Sequence, residues 1–283
     1  LWDGLGNMAK EQDPSFTDNI FPCLFITIAC GAISGFHATQ SPLMARCLKS
    51  EKMGRPIFYG SMITEGLVAL VWATVAMWFF YDSPTPGYEQ LAAAKGFHTS
   101  APMVVTTVCQ DWLGMLGGVL AILGVVAAPI TSGDTAFRSA RLIVASALKL
   151  NQKPKMNRLY VCLPIFVVSI ALLAWQSSNP DGFNVIWQYF GWSNQTLSVF
   201  TLWAITVYLV RKNKPYVITL LPALFMTGVC STYLFISKQA FGLQEDLAYY
   251  LGILTVIIAM VWFVVWIRKY GEKAREIGET STD

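Results

Sequence analysis

Between Asn19 and Ala45 the chain carries no Asp, Glu, Lys or Arg, yet it contains the run Cys30-Gly31-Ala32-Ile33-Ser34-Gly35-Phe36-His37-Ala38-Thr39-Gln40-Ser41-Pro42. Two glycines, a proline and five hydrogen-bonding side chains in one uncharged stretch are more than a membrane anchor needs. Pro42 removes a backbone donor and crowds the preceding turn, and Gly35 costs about 1 kcal/mol against Ala in a helix. Irregular backbone at membrane depth must line protein or a water-filled cavity. The reading is a helix unwound between Ser34 and Ser41, whose unpaired amides attract an anionic carboxylate. His37, Thr39, Gln40 and Ser41 then complete its hydrogen bonds, and Gly35 is expected to hold a positive φ. The competing account is a small-xxx-small packing face at Gly31 and Gly35 with a proline kink.

A second block, Ala127-Ala128-Pro129-Ile130-Thr131-Ser132-Gly133-Asp134-Thr135-Ala136-Phe137-Arg138, places adjacent hydroxyls between a proline and a glycine. Hydroxyl and carbonyl oxygens suit a hard cation, so a helix loosened by Pro129 and Gly133 makes Thr131 and Ser132 candidate sodium ligands. Asp134 and Arg138, four apart, read as a structural pair on one helix face. Glu65 interrupts an otherwise uncharged run from Pro56 to Tyr81; an intramembrane carboxylate is either a proton carrier or a buried structural partner. Ser193, Asn194 and Gln195 interrupt the fifth apolar run and serve either interhelical hydrogen bonding or ligand contact.

The elements that carry these groups follow from composition. Of 283 residues, 54% are hydrophobic and 13% charged, about half the charge of a soluble domain, which excludes a soluble globular enzyme. Besides the runs already named, Trp112 to Gly133, Leu159 to Pro180, Gly182 to Val210, Pro215 to Ser237 and Leu247 to Ile267 are uncharged. Each reaches roughly the 20 residues that cross a hydrocarbon core, so seven spanning helices are expected. The alternation of a β-barrel is missing. Seventeen of the 20 basic residues fall in alternate connections or the C-terminal segment, with Lys10, Lys95 and Lys238 on the other side. The positive-inside rule then puts the start of the chain outside and its C-terminus in the cytoplasm. A net charge of +3 with 17 acids excludes a nucleic-acid partner. The six cysteines are scattered without ligand spacing and read as small apolar packing, and no cofactor is expected.

Three blocks, Ala29 to Pro42, Ile130 to Arg141 and Phe190-Gly191-Trp192-Ser193-Asn194-Gln195, resemble signatures of the carbon starvation protein A family, within the amino acid-polyamine-organocation superfamily. The resemblance implies a transporter of peptides or of a small carboxylate such as pyruvate in the bacterial inner membrane. It also implies an all-α polytopic fold: the second of two inverted five-helix repeats, plus two extra helices, of a leucine-transporter-type architecture. On that template, residues 1–19 are an external connecting segment and 20–210 the repeat, with a broken first helix and an external loop at 82–111. Residues 211–271 are then the additional pair, and 272–283 a frayed cytoplasmic tail. The hydroxyls of Thr131 and Ser132 resemble the superfamily's sodium position, with a proton as the other coupling ion. The partners implied are the substrate, the lipid bilayer and an N-terminal half lying outside this sequence, the chain opening at Leu1 on a polar stretch. A membrane-embedded enzyme lacks a catalytic set, since only His37 and Glu65 lie well within spans, and a sensor or anchoring subunit is the alternative function.

Overall fold

The computed structural model describes residues 20–27, 33–81, 101–179 and 182–280. Among them the secondary structure is helical, without strands. Seven α-helices follow one another: α1 (Gly35–Ala45), α2 (Gly60–Tyr81), α3 (Ala101–Ala147), α4 (Lys155–Ser178), α5 (Gly182–Arg211), α6 (Val217–Ile236) and α7 (Glu245–Thr280). A π-helical turn, Ile20–Leu24, precedes α1, and short turns at Glu51–Met53 and Arg55–Tyr59 lead into α2. Four stretches among the described residues are long and apolar enough to cross a membrane: Glu51–Val75, Lys155–Ser178, Val217–Ile236 and Glu245–Tyr270. This is fewer than the seven expected. α1 has 11 residues, and α5, although 30 residues long, carries the polar block 192–196 near its middle.

The chain divides into two compact units, Leu1–Ala38 with Gln188–Asp283, and Thr39–Trp187. In the first, α5, α6 and α7 form consecutive antiparallel hairpins. Asn213, at φ 50°, lets α5 end, and the Lys214 amide donates back to the Leu209 carbonyl at 2.9 Å, which satisfies a terminal carbonyl. Glu245 and Asp246 open α7, where negative charge complements the helix dipole. Hydroxyls tie the helices together: the Trp203 indole donates to Thr227 Oγ1 at 3.1 Å, Thr206 Oγ1 to Thr219 Oγ1 at 2.9 Å and Thr255 Oγ1 to Ser231 Oγ at 2.7 Å. In a bilayer such bonds replace the water that the hydroxyls lack. Ile26 packs beneath them against Met226, Val229 and Cys230.

The α6–α7 seam is close because small residues face bulky ones. A Cβ built on Gly252 meets Thr232 Oγ1, with Thr232 Cβ at 3.1 Å, and one on Gly228 meets Val256 Cγ2 at 3.1 Å. Thr232 is buried, so it has no space to retreat. Gly252→Ala should lower stability by about 1–3 kcal/mol, and adding Thr232→Ala, which removes the obstructing hydroxyl, should restore most of it. Thermal unfolding in detergent checks this, and a destabilisation that Thr232→Ala leaves untouched would place the strain elsewhere.

In the second unit, α3 and α4 are joined through residues 148–154 and stack Phe137 on Phe166 at 4.8 Å between ring centres. Three expectations change here. Pro129 and Gly133 do not loosen α3; its non-helical residue is Gly114, at φ 63° and ψ −167°, a conformation that side-chain-bearing residues rarely adopt. The apolar piece 101–110 of the expected external loop 82–111 is helical and runs up to that break, whereas 82–100 lie outside the described residues. The tail 272–283, read as frayed, continues α7 through Thr280, with 281–283 outside the described residues, as are 1–19. Along α2, α4 and α7, Leu70, Val71, Leu173, Ile253 and Trp262 are exposed, the arrangement lipid-facing helices adopt.

Candidate functional site

The first α1 cluster belongs to the first unit. Ile33 and Ser34 are non-helical, and regular helix begins at Gly35 and continues past Pro42 to Ala45. The expected unwinding from Ser34 to Ser41 is therefore corrected: irregular backbone ends at Ser34, and residues 28–32 lie outside the described ones. Pro42 is accommodated within α1, as prolines are where neighbouring groups re-satisfy the freed carbonyl. Gly35 does not have positive φ; it is constrained by space instead. A Cβ there runs into the Asn194 carbonyl oxygen and stands 2.7 Å from Leu197 Cβ and 3.1 Å from Ser198 N.

That close approach brings Asn194, buried on α5, onto the start of α1. Its Oδ1 accepts from the Phe36 amide at 2.8 Å and from Ser34 Oγ at 3.2 Å. Ser34 Oγ in turn accepts from the Phe36 amide at 3.3 Å. A distant side chain thus caps the helix, a role an N-terminal amide ordinarily fills with a local Ser, Thr, Asp or Asn. The idea that these first-turn amides await an anionic substrate is corrected at Phe36, whose N–H is taken. The His37 amide donates to the Ser34 carbonyl at 3.2 Å, and the residue is half-buried. Gln195 is fully buried and donates through Nε2 to the Ile26 carbonyl at 3.2 Å; Ser198, also buried, donates to the Gln195 carbonyl at 2.6 Å. Ser193 faces outward from α5. The polar block 192–196 therefore belongs to a continuous helix.

The second cluster is in the second unit. Gln40 is 7% exposed; its Nε2 donates to Ser139 Oγ at 2.7 Å and to the Thr135 carbonyl at 3.2 Å. Ser139 Oγ donates to the same carbonyl at 3.0 Å. The amide is thereby fixed in one orientation, and its Oε1 is buried without a hydrogen-bond partner, a costly condition for a polar atom. Thr39 and Ser41 flank it, both half-buried.

The other candidates are placed separately. Thr131 and Ser132 are exposed on regular α3, where the Thr131 carbonyl accepts from Thr135 Oγ1 at 2.9 Å. Arg138 Nη2 and Asp134 Oδ2 pair at 2.8 Å on an exposed face, which contributes little to stability. Glu65 is exposed on α2. Sequence reasoning missed Thr135, Ser139 and Ser198. The spacing of Thr135 and Ser139, one helical turn apart within the Ile130–Arg141 block, was the available signal.

Compared with known proteins, the chain matches the family model for carbon starvation protein CstA over residues 5–114 and 85–233. It belongs to that family. An uncharacterized protein of Haemophilus influenzae is 44% identical over 120 residues, covering 42% of this chain and 83% of that one. A peptide transporter CstA of Mycobacterium tuberculosis is 29% identical over 260 residues, 71% of this chain and 34% of that one. The peptide transporter CstA of Escherichia coli is 26% identical over 271 residues, 75% and 39% of the two chains. The chain thus spans a third to two fifths of the length of these two CstA transporters. No solved structure matches it. With four apolar helices of spanning length, this CstA-family chain is a multi-pass membrane protein.

Proposed function

We propose that the chain forms part of a secondary transporter, not an enzyme, that moves peptides across the bacterial inner membrane with its C-terminus in the cytoplasm. Its relatives' names support transport of peptides, and the observation that carries the substrate reading is the buried, partnerless Oε1 of Gln40. A fixed acceptor calls for a donor. Peptides supply amide and ammonium N–H groups, whereas pyruvate, with a keto group and a carboxylate, supplies none. Thr39, Ser41 and His37 line the same helix. The expected seven-span, leucine-transporter-type arrangement, with domains 20–210 and 211–271 and an N-terminal half supplied by the rest of the protein, is the architecture this reading uses. Coupling falls to sodium at the hydroxyls of Thr131 and Ser132 or to a proton on Glu65.

Uptake of a labelled dipeptide by vesicles containing the full-length protein tests this, with a sodium gradient and a pH gradient imposed in turn. Gln40→Leu should cut uptake at least tenfold while the protein remains inserted, and the milder Ser139→Ala, which loosens the Gln40 amide, should raise KM more than it lowers the maximal rate. Full uptake by Gln40→Leu, or efficient competition by pyruvate, would sink the peptide reading; indifference to both gradients would sink the coupling.

A further inference from the structure

Between Thr135 and Pro180 the chain has six basic residues, Arg138, Arg141, Lys149, Lys153, Lys155 and Arg158, and no Asp or Glu. The other basic stretches differ: 46–55 contains Glu51, the segment after Ile267 contains Glu272, Glu276 and Glu279, and 211–214 holds three bases. Four of the six, Lys149, Lys153, Lys155 and Arg158, fall within ten positions around the α3–α4 turn of the second unit, and all four are exposed. Like charges gathered so closely repel one another until a counter-charge is supplied.

The turn keeps its shape almost without these charges. Lys149, at φ 52°, ends α3, and backbone amides take the last carbonyls of that helix: Leu148 donates to Val144 at 2.9 Å, Lys149 to Ser146 at 3.1 Å and Leu150 to Ala145 at 2.9 Å. Asn151 Oδ1 accepts from the Lys153 amide at 3.0 Å, and Asn157 Nδ2 donates to the Asn151 carbonyl at 2.9 Å. Of the four cationic side chains only Arg158 takes part, through Nε on the Gln152 carbonyl at 2.6 Å. Among the described residues no carboxylate pairs with any of the four; the base that Asp134 holds is Arg138. Leu148, Leu150, Met156, Leu159 and Tyr160, interleaved with the basic residues, are exposed as well. α4 is of spanning length and begins at Lys155, so the turn stands where hydrocarbon gives way to headgroups.

Unpaired cations alternating with exposed apolar side chains fit a surface that is anionic at its top and apolar beneath. A soluble anion meets the charges and leaves the apolar side chains in water; a zwitterionic lipid covers the apolar side chains and brings no net charge. We propose that the α3–α4 turn is a binding site for anionic phospholipid. Lys149, Lys153, Lys155 and the Nη groups of Arg158 pair with headgroup phosphodiesters, and Leu148, Leu150, Leu159 and Tyr160 pack on the glycerol and upper acyl chains. Clusters of about four to eight Lys or Arg beside a membrane helix attract such lipids. On the orientation proposed above, the leaflet is the cytoplasmic one. Binding of this kind is independent of which substrate and which coupling ion the transporter uses.

Energy transfer from the tryptophans to phosphatidylglycerol labelled on an acyl chain, titrated into the full-length protein in detergent, tests the site against phosphatidylcholine carrying the same label. Phosphatidylglycerol should half-saturate at a concentration at least about fivefold lower, and raising salt from about 0.05 M to about 0.5 M should remove most of that preference. The variant Lys149→Asn/Lys153→Gln/Lys155→Gln, whose first change keeps a residue that tolerates positive φ, should bind the two lipids equally, with phosphatidylcholine binding and thermal stability unchanged. Lys153→Arg/Lys155→Arg should retain the preference. Equal affinity of the parent for both lipids, a preference indifferent to salt or surviving the triple variant, or the same loss on Lys49→Gln/Lys52→Gln would overturn the proposal. Displacement of the labelled lipid by inorganic phosphate or by polyglutamate as effectively as by unlabelled phosphatidylglycerol would also overturn it, and would give the turn to a soluble anion or to an acidic protein segment.

Discussion

Gly35→Ala is expected to destabilise the first unit more than any other single-methyl addition considered above. The new Cβ meets the Asn194 carbonyl oxygen, Leu197 Cβ and Ser198 N. Two of these three are backbone atoms of α5, which no rotamer change can move. Overpacking against movable side chains costs about 1–3 kcal/mol; against a helix backbone the upper end, about 3 kcal/mol, is the expectation, because α1 must separate from α5 to make room. Separation also stretches the bonds from Phe36 and Ser34 to Asn194 Oδ1, so capping and packing fail together. Gly66→Ala is the matched control: nothing lies within 4 Å of a Cβ there, and the helix gains up to about 1 kcal/mol of propensity. Thermal unfolding in detergent should show Gly35→Ala strongly lowered and Gly66→Ala unchanged or raised. Equal behaviour of the two variants would mean that α1 does not rest on α5 as described.

How far the sequence discloses this arrangement depends on the range of the interaction. Helices fall where the uncharged runs lie, because the lack of charge and the length of a run are local properties. Broken backbone was harder to place. Pro129, Gly133 and Pro42 all stand inside regular helix, while the break falls at Gly114, one of three glycines in Gly114-Met115-Leu116-Gly117-Gly118. Composition marks such a segment as weak, but only packing decides which glycine turns.

The candidate site shows the same division. Gln40 was legible as a polar group in an apolar run, since burying an amide demands partners wherever they lie. Its partners Thr135 and Ser139 lie 95 and 99 positions away, a separation at which helical periodicity says nothing. From the sequence, Gly35 reads as a position needing positive φ, which it does not have; its constraint is the approach of α5, which no local pattern reports. For Asn194 and Gln195 the sequence admits both interhelical bonding and ligand contact. In the first unit Asn194 Oδ1 accepts from the Phe36 amide at the start of α1 and Gln195 Nε2 donates to the Ile26 carbonyl, which accounts for one oxygen of Asn194 and one nitrogen of Gln195.

Asn194 is therefore the position at which capping and substrate binding can be separated by experiment. Removing its Oδ1 in Asn194→Ala takes away the 2.8 Å acceptor of the Phe36 amide and keeps the longer 3.3 Å bond to Ser34 Oγ. A part-buried donor so weakened costs about 1 kcal/mol, and the start of α1 should fray, lowering thermal stability and uptake together. Asn194→Asp keeps an acceptor at the same place and adds negative charge beside a helix N-terminus, where the dipole favours it. It should retain the stability that Asn194→Ala loses, and a cap that only organises α1 predicts that peptide uptake survives as well. If the amides of this turn instead receive the carboxylate of the substrate, the added charge repels it, and uptake should fall at least tenfold in a protein as stable as the parent. Thermal unfolding and the uptake KM measured on both variants decide between the two: stable and active assigns Asn194 to the helix, stable and inactive assigns it to the ligand.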